Sequence, residues 1–199
     1  MAMAIDFFSL IKRTLMRKRR RSFLRDERGV TAIEFGLLAL PFFALIGAIL
    51  ETAVVFLAGQ LLDSAVQDSA RYIRTGQMQA ANYTMAKFRT NVCDRLYGLF
   101  KCDGLHIEVQ APPSFSAANI KAPIDPSCDP TKKACPDWTR SEEYQPGGGS
   151  SISVVQVYYR WPVMLNLGGF NMANMPGSVR VLGAAAVFRN EPFTGGGGS

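Results

Sequence analysis

The chain has 199 residues, which is enough for one domain and a membrane segment but too few for two ordinary domains. Its net charge of +6 comes from the first 28 residues, where nine basic and three acidic side chains give 9 − 3 = +6 and leave the rest of the chain neutral. Such a basic tract can contact nucleic acid or anionic lipid, but beside a long apolar run it more simply sets membrane orientation, because flanking lysine and arginine stay in the cytoplasm. We therefore expect a cytoplasmic N-terminus and no nucleic-acid partner.

A transmembrane helix is predicted directly after this leader. Residues 35–50 carry no charged side chain, and the apolar composition extends to both sides with only Glu34 and Glu51 interrupting it. About 21 helical residues rise roughly 30 Å, which is the thickness of the hydrocarbon core. A cleaved secretory signal has a shorter apolar stretch and a small-residue cleavage site, and a soluble core helix is rarely so uniformly apolar. We assign residues 30–60 to the membrane.

The junction between leader and helix carries a short motif. Residues 28–35 contain G-x-x-x-x-E, a pattern that resembles the processing motif of type IV prepilins and pseudopilins, whose leaders are cut after the glycine by a membrane peptidase facing the cytoplasm. The resemblance implies cleavage between Gly29 and Val30, so that residues 1–29 are removed and Glu34 becomes the fifth residue of the mature chain.

The spacing of this motif has a physical use. A carboxylate at Glu34, one helical turn from a new α-amino group on Val30, can neutralise that amine or the amine of an adjacent subunit. Neutralisation makes transfer from lipid into an assembly less costly. The alternative is an uncleaved single-pass anchor that displays a periplasmic binding or scaffold domain, with Glu34 reaching the membrane interface.

The residues beyond the membrane predict an α+β head over residues 61–194. Apolar residues at spacings of three and four continue the first helix to a stop at Gly76, and another apolar stripe predicts a second helix from about residue 80 to 100. Three segments have strand patterns and are expected to form an antiparallel sheet, with a long loop over residues 111–150 between the first two. The predicted strands cover residues 105–110, 151–164 and 179–188.

Four cysteines follow the span. Positive-inside orientation places the head in the periplasm, an oxidising compartment, so disulfides are expected and three pairings are possible. We favour Cys93 with Cys102 and Cys128 with Cys135, because both pairings are local. A zinc site is the competing interpretation, which the absence of C-x-x-C spacing and the single histidine make weaker.

Nothing in the sequence has the pattern of an active site. His106 falls on the polar side of the first predicted strand, where a solvent-exposed or hydrogen-bonded role is expected. Phosphate-binding, dinucleotide-binding and hydrolase fingerprints are missing from the sequence. We expect no enzymatic activity, cofactor or metal. The rival interpretation, a membrane-anchored enzyme, requires a polar constellation around His106 or Glu108.

Three stretches resemble the TadE-like proteins, the minor pilins or pseudopilins of the tight-adherence (Tad) pilus system. They are residues 28–35, 62–77 and 188–193. The closely related TadF-like proteins share this plan.

The resemblance implies processing by a prepilin peptidase, residence in the bacterial inner membrane, and a role in assembling or priming a Flp-type pilus used in adhesion. It also implies contact with TadF-like minor pilins, the Flp major pilin and the inner-membrane assembly platform. The final residues 195–199 read as a flexible linker of the kind added to recombinant proteins.

Overall fold

The computed structural model of the chain describes residues 29–125, 127, 138–167 and 170–193. Within these ranges the chain forms three α-helices: α1 (Val30–Arg74), α2 (Gln77–Ala80) and α3 (Met85–Asp94). The basic leader, Cys128, Cys135 and the glycine-rich end at residues 195–199 lie outside the described residues.

Helix α1 is 45 residues long and changes character along its length. Its most apolar 18-residue window has a mean hydropathy of 2.2, and none of that window is buried. By length and composition this helix is able to cross a membrane, as the sequence predicts. Further along, one face is buried from Val55 to Ile73, while Asp63, Asp68 and Arg71 stay exposed. The helix therefore becomes amphipathic where it joins the head.

The second predicted helix is shorter than expected. The sequence predicted one helix over about residues 80–100, but the chain forms α2, turns at Asn82 with a φ of 49°, and begins α3 after Thr84, whose side chain accepts the Lys87 N–H. Helix α3 ends at Asp94, and the left-handed φ of 73° at Gly98 then reverses the chain. The local capping and turn residues override the apolar periodicity.

The apolar stripe on this segment is only partly core. Phe88, Val92 and Leu96 are fully buried, as the stripe predicts. Leu99 is 37% exposed, and Phe100 is buried in its place, because the chain is no longer helical there. A disulfide between Cys93 and Cys102, with Cα atoms 5.8 Å apart, ties the end of α3 to the turn before the first strand, and it is the pairing that the sequence favoured.

The part of the chain that the structure describes then forms six strands: β1 (Leu105–Gln110), β2 (Glu143–Tyr144), β3 (Ile152–Pro162), β4 (Asn166–Leu167), β5 (Phe170–Asn171) and β6 (Val179–Arg189). The main sheet has the order β2-β1-β3-β6, and β4 and β5 form a separate hairpin. Strands β1, β3 and β6 are antiparallel, as predicted. The edge strand β2 pairs parallel to β1, so the sheet is mixed, and the predicted loop over residues 111–150 contains a strand.

The main core lies on one face of this sheet. Cross-strand neighbours Ile107, Val157 and Ala184 are buried in register, and they join the buried face of α1 in a single cluster. Residues of this kind at alternate strand positions present one apolar surface. Val155, Val157 and Tyr159, at alternate positions of β3, all belong to this cluster.

Helix α1 and the long strands match in length. From Glu51 to Arg74 the helix rises about 35 Å, and the 11 residues of β3 or β6 span about 36 Å. Glu51 contacts the residues just after β3, and Arg74 contacts the residues just after β6. This part of the helix is therefore attached to the sheet at both ends.

Candidate functional site

The predicted processing and assembly residues lie at the start of α1. Gly29 immediately precedes the helix, Val30 is its first residue, and Glu34 follows one turn later. All three are exposed, and a Cβ at Gly29 would meet no heavy atom within 4 Å. Residues four apart share a helix face, so Val30 and Glu34 are neighbours, and the carboxylate is placed to pair with an amine at Val30.

The helix side of this junction is apolar. Ile33, Phe35 and Leu37 are each about two-thirds exposed, at 66%, 71% and 69%. A carboxylate in such a surface is costly in hydrocarbon unless it pairs with a positive charge. The arrangement can perform charge pairing and present an apolar helix to lipid or to other helices.

A second functional candidate is the C-terminal clasp, which we define as residues 188–193. Asn190 is its centre: 3% exposed, with its amide donating to the carbonyl oxygens of Pro146 at 3.1 Å and Gly148 at 2.9 Å. Ser153 donates to the Asn190 side-chain oxygen at 3.1 Å. The amide N–H groups and the side-chain oxygen of Asn190 therefore all have hydrogen-bond partners. These bonds fix the position of the chain at the end of β6.

The clasp also holds the end of α1. Glu191 donates its backbone N–H to the Arg74 carbonyl at 2.9 Å, and the two side chains form an exposed ion pair at 3.6 Å. The Phe193 ring lies against Gly76, where φ is +76° and a Cβ would stand 2.6 Å from the ring. Two of the three stretches that carry the family resemblance are therefore in direct contact, which sequence inspection could not establish.

We expect Gly76→Ala to lower the free energy of unfolding by about 2 kcal/mol, because it combines a left-handed φ with overlap against Phe193. The matched control is Gly98→Ala: its φ is +73°, but nothing lies within 4 Å, so only about 1 kcal/mol is expected from backbone strain. Denaturant unfolding of the full chain in detergent measures both. Equal losses would contradict a role for the Phe193 contact.

A polar cluster, which we call the second-face cluster, lies on the other side of the sheet. Glu108 is 1% exposed, and Arg140 donates to its carboxylate from both Nε, at 3.1 Å, and Nη2, at 2.8 Å. His106, 3% exposed, pairs with the same carboxylate at 3.0 Å, and Trp138 stacks on the imidazole with ring centroids 4.5 Å apart. A buried charge with these partners is satisfied.

The described part of the long loop covers this cluster. Tyr158 and Gln156 on β3 donate to the carbonyl oxygens of Ile120 and Asn119, while Arg140 also donates to Lys121. Burial raises the pKa of the Tyr158 hydroxyl above its ordinary value; Glu108 adds to this rise and Arg140 opposes it.

The polar side that the sequence predicts for the first strand is therefore not open to solvent. The strand is buried on both faces, because the loop covers its polar side. His106 is hydrogen-bonded, one of the two expected alternatives, and is not exposed to solvent. In the sequence, Trp138 and Arg140 are the residues that could have indicated this covering of β1 by the loop. Neither belongs to a periodic pattern that would show which strand it contacts.

Other predicted sites have mixed outcomes. The Cys128–Cys135 pairing lies outside the described residues and stays a prediction. Within the described ranges, no group of three His, Cys, Asp or Glu side chains could hold a metal ion. The absence of enzymatic activity likewise stays a prediction.

The fold and the junction define a class of protein: an α+β head on one long apolar N-terminal helix, which fits a single-pass membrane anchor. Comparison with known families finds that residues 29–71 match TadE, described as TadE-like protein. The chain is thus similar to TadE-like proteins over this segment, which confirms the predicted resemblance. No curated protein and no solved structure matches the chain.

Proposed function

We propose that this protein is a minor pilin or pseudopilin that is processed after Gly29 and is needed to assemble or initiate a Tad pilus used in surface adhesion. The observation that carries the proposal is the TadE-like match, which begins at Gly29 and includes Val30 and Glu34. The basic leader before it and the apolar helix after it are the context that a prepilin peptidase requires.

The head supports a minor rather than a bulk role. A major Flp pilin resembles a short helix with almost no globular domain, whereas here the chain from Gly47 onward forms a compact unit with its own sheet and core. A head of this size is suited to a tip or initiation complex, where few copies are needed. Its partners are then TadF-like minor pilins, the Flp major pilin and the inner-membrane assembly platform.

The first test is mass spectrometry of the protein extracted from its own bacterial membrane. We expect a chain that begins at Val30. Gly29→Ala should leave the full leader attached and the protein retained in the membrane, because a side chain at this position blocks the peptidase. A native protein that still begins at Met1 or Ala2 would refute processing and leave the alternative of an uncleaved anchor displaying a periplasmic domain.

The second test separates assembly from processing. Glu34→Ala should be cut normally yet lower the number of surface pili by about tenfold or more, since a lost charge pairing in lipid is worth more than about 1.4 kcal/mol. The matched control is Ile33→Ala, which is 66% exposed on the neighbouring position and removes apolar surface without charge. Normal numbers of pili on Glu34→Ala cells would contradict the proposed charge pairing by Glu34. A separate experiment deletes the gene, and normal, adherent pili on the deleted strain would refute the role in assembly.

A further inference from the structure

The connection between β3 and β6 is unusually free of charge. No charged residue occurs between Arg160 and Arg180, a stretch that contains three methionines and three asparagines. Met164 is 87% exposed and Phe170 is 38% exposed. Exposed apolar side chains within an uncharged polar segment are typical of surfaces that meet a membrane interface or a partner.

This connection is attached to helix α1 near Glu51. The Glu51 carboxylate, 9% exposed, accepts the backbone N–H groups of Met164 and Leu165, the latter at 3.1 and 3.2 Å. The Leu165 side chain also lies over Gly47, where a Cβ would come within 3.1 Å of it. Glu51 is the first charge after the uncharged residues 35–50, and it lies within the predicted span of residues 30–60, in the part nearer the head.

The outer surface of α1 stays apolar beyond that anchor point. Val54, Phe56 and Leu57 are 42%, 63% and 55% exposed. Leu57 lies about 9 Å further along the helix than Glu51. A bilayer that covers this exposed apolar surface also covers the level at which Met164 and Leu165 are attached.

We propose that Met164, Leu165 and Phe170 form a second membrane contact, inserted at the boundary of headgroups and acyl chains in the leaflet on the head's side. The occupant is lipid because Met164 and Leu165 are attached to the helix at the level of its exposed apolar residues, and because residues 161–179 carry no charge of their own. The Glu51 carboxylate is tolerated there because it is paired with two backbone donors. The proposal rests on the membrane helix alone, and its failure would leave the pilus assignment standing.

Photocrosslinking tests this contact in the full chain. A benzophenone amino acid at Met164, in protein reconstituted into vesicles of phosphatidylethanolamine and phosphatidylglycerol, should form lipid adducts. The matched control is the same residue at Tyr97, which is 83% exposed but lies in the turn after α3. We expect about fivefold more lipid adduct at 164 than at 97, as for a side chain in the interface compared with one in water.

Two outcomes would overturn the proposal. Equal adduct yields at the two positions would mean that the connection does not touch lipid. Adducts at 164 with protein, in vesicles or in the native bacterial membrane, would mean that the surface binds another chain. Glu51→Ala checks the anchor, since it should lower the lipid yield at 164 and leave position 97 unchanged; an unchanged yield at 164 would contradict the anchoring role of Glu51.

Discussion

Replacing Arg140 with methionine is expected to lower the free energy of unfolding by about 3 kcal/mol. The substitution leaves Glu108, 1% exposed, with His106 as its only remaining side-chain partner among the described residues. Removal of one member of a buried ion pair costs more than removal of an exposed one because the remaining charge stays out of water. The value is at the low end of the usual range because the Arg140 side chain is itself 30% exposed.

The measurement is urea unfolding of the full chain in nonionic detergent, followed by tryptophan fluorescence, to which Trp138 in the cluster contributes directly. Arg74→Met is the control, because its ion pair with Glu191 is more than half exposed on both sides and is worth less than about 1 kcal/mol. Adding Glu108→Gln to Arg140→Met should restore part of the loss by neutralising the buried group. Equal stability of Arg140→Met and Arg74→Met would contradict the importance of the second-face cluster.

Removing the Cys93–Cys102 disulfide is expected to lower the free energy of unfolding by about 2 to 3 kcal/mol. The two cysteines are nine residues apart, and the estimate comes from the entropy that closure of such a loop removes from the unfolded chain. The double variant Cys93→Ala, Cys102→Ala isolates this bond, whereas chemical reduction would also open any bond between Cys128 and Cys135.

The readout is again denaturant unfolding in detergent, together with the amount of chain recovered from membranes. Insertion of the chain into the membrane should be unchanged, because the membrane helix precedes both cysteines in the sequence and does not contain either of them. The corresponding double variant at Cys128 and Cys135 tests the second predicted pairing. Unchanged stability of the Cys93, Cys102 variant would refute the view that this disulfide stabilises the head.

The long periodic elements were predictable from the sequence. Helix α1 and the antiparallel strands β1, β3 and β6 have strong apolar periods, and each was assigned to about the right residues. The bounds of α3 could not be predicted in this way. They are set by the Thr84 cap and by the turn at Gly98, whereas the helix predicted from the apolar stripe continues past both ends of α3. The parallel strand β2 is two residues long and has no period to detect.

The candidate sites divide in the same way. Gly29, Val30 and Glu34 form a motif of adjacent residues, so their arrangement on the first turns of a helix follows from the sequence. The second-face cluster and the clasp also depend on contacts between residues that are 32 or more positions apart, such as Glu108 with Arg140 and Arg74 with Glu191. The sequence shows that these polar and charged residues are present. Which of them pair depends on the face of the sheet that each loop crosses, and the sequence does not show this.

The double attachment of helix α1 to the sheet has a consequence for how this fold can vary. Glu51 and Arg74 are held by residues that follow β3 and β6, so the helical segment and the strand pair must remain equal in length. A strand residue advances about 3.3 Å and a helical residue 1.5 Å. Insertions that natural selection retains in the strands should therefore be accompanied by roughly twice as many residues inserted between Glu51 and Arg74.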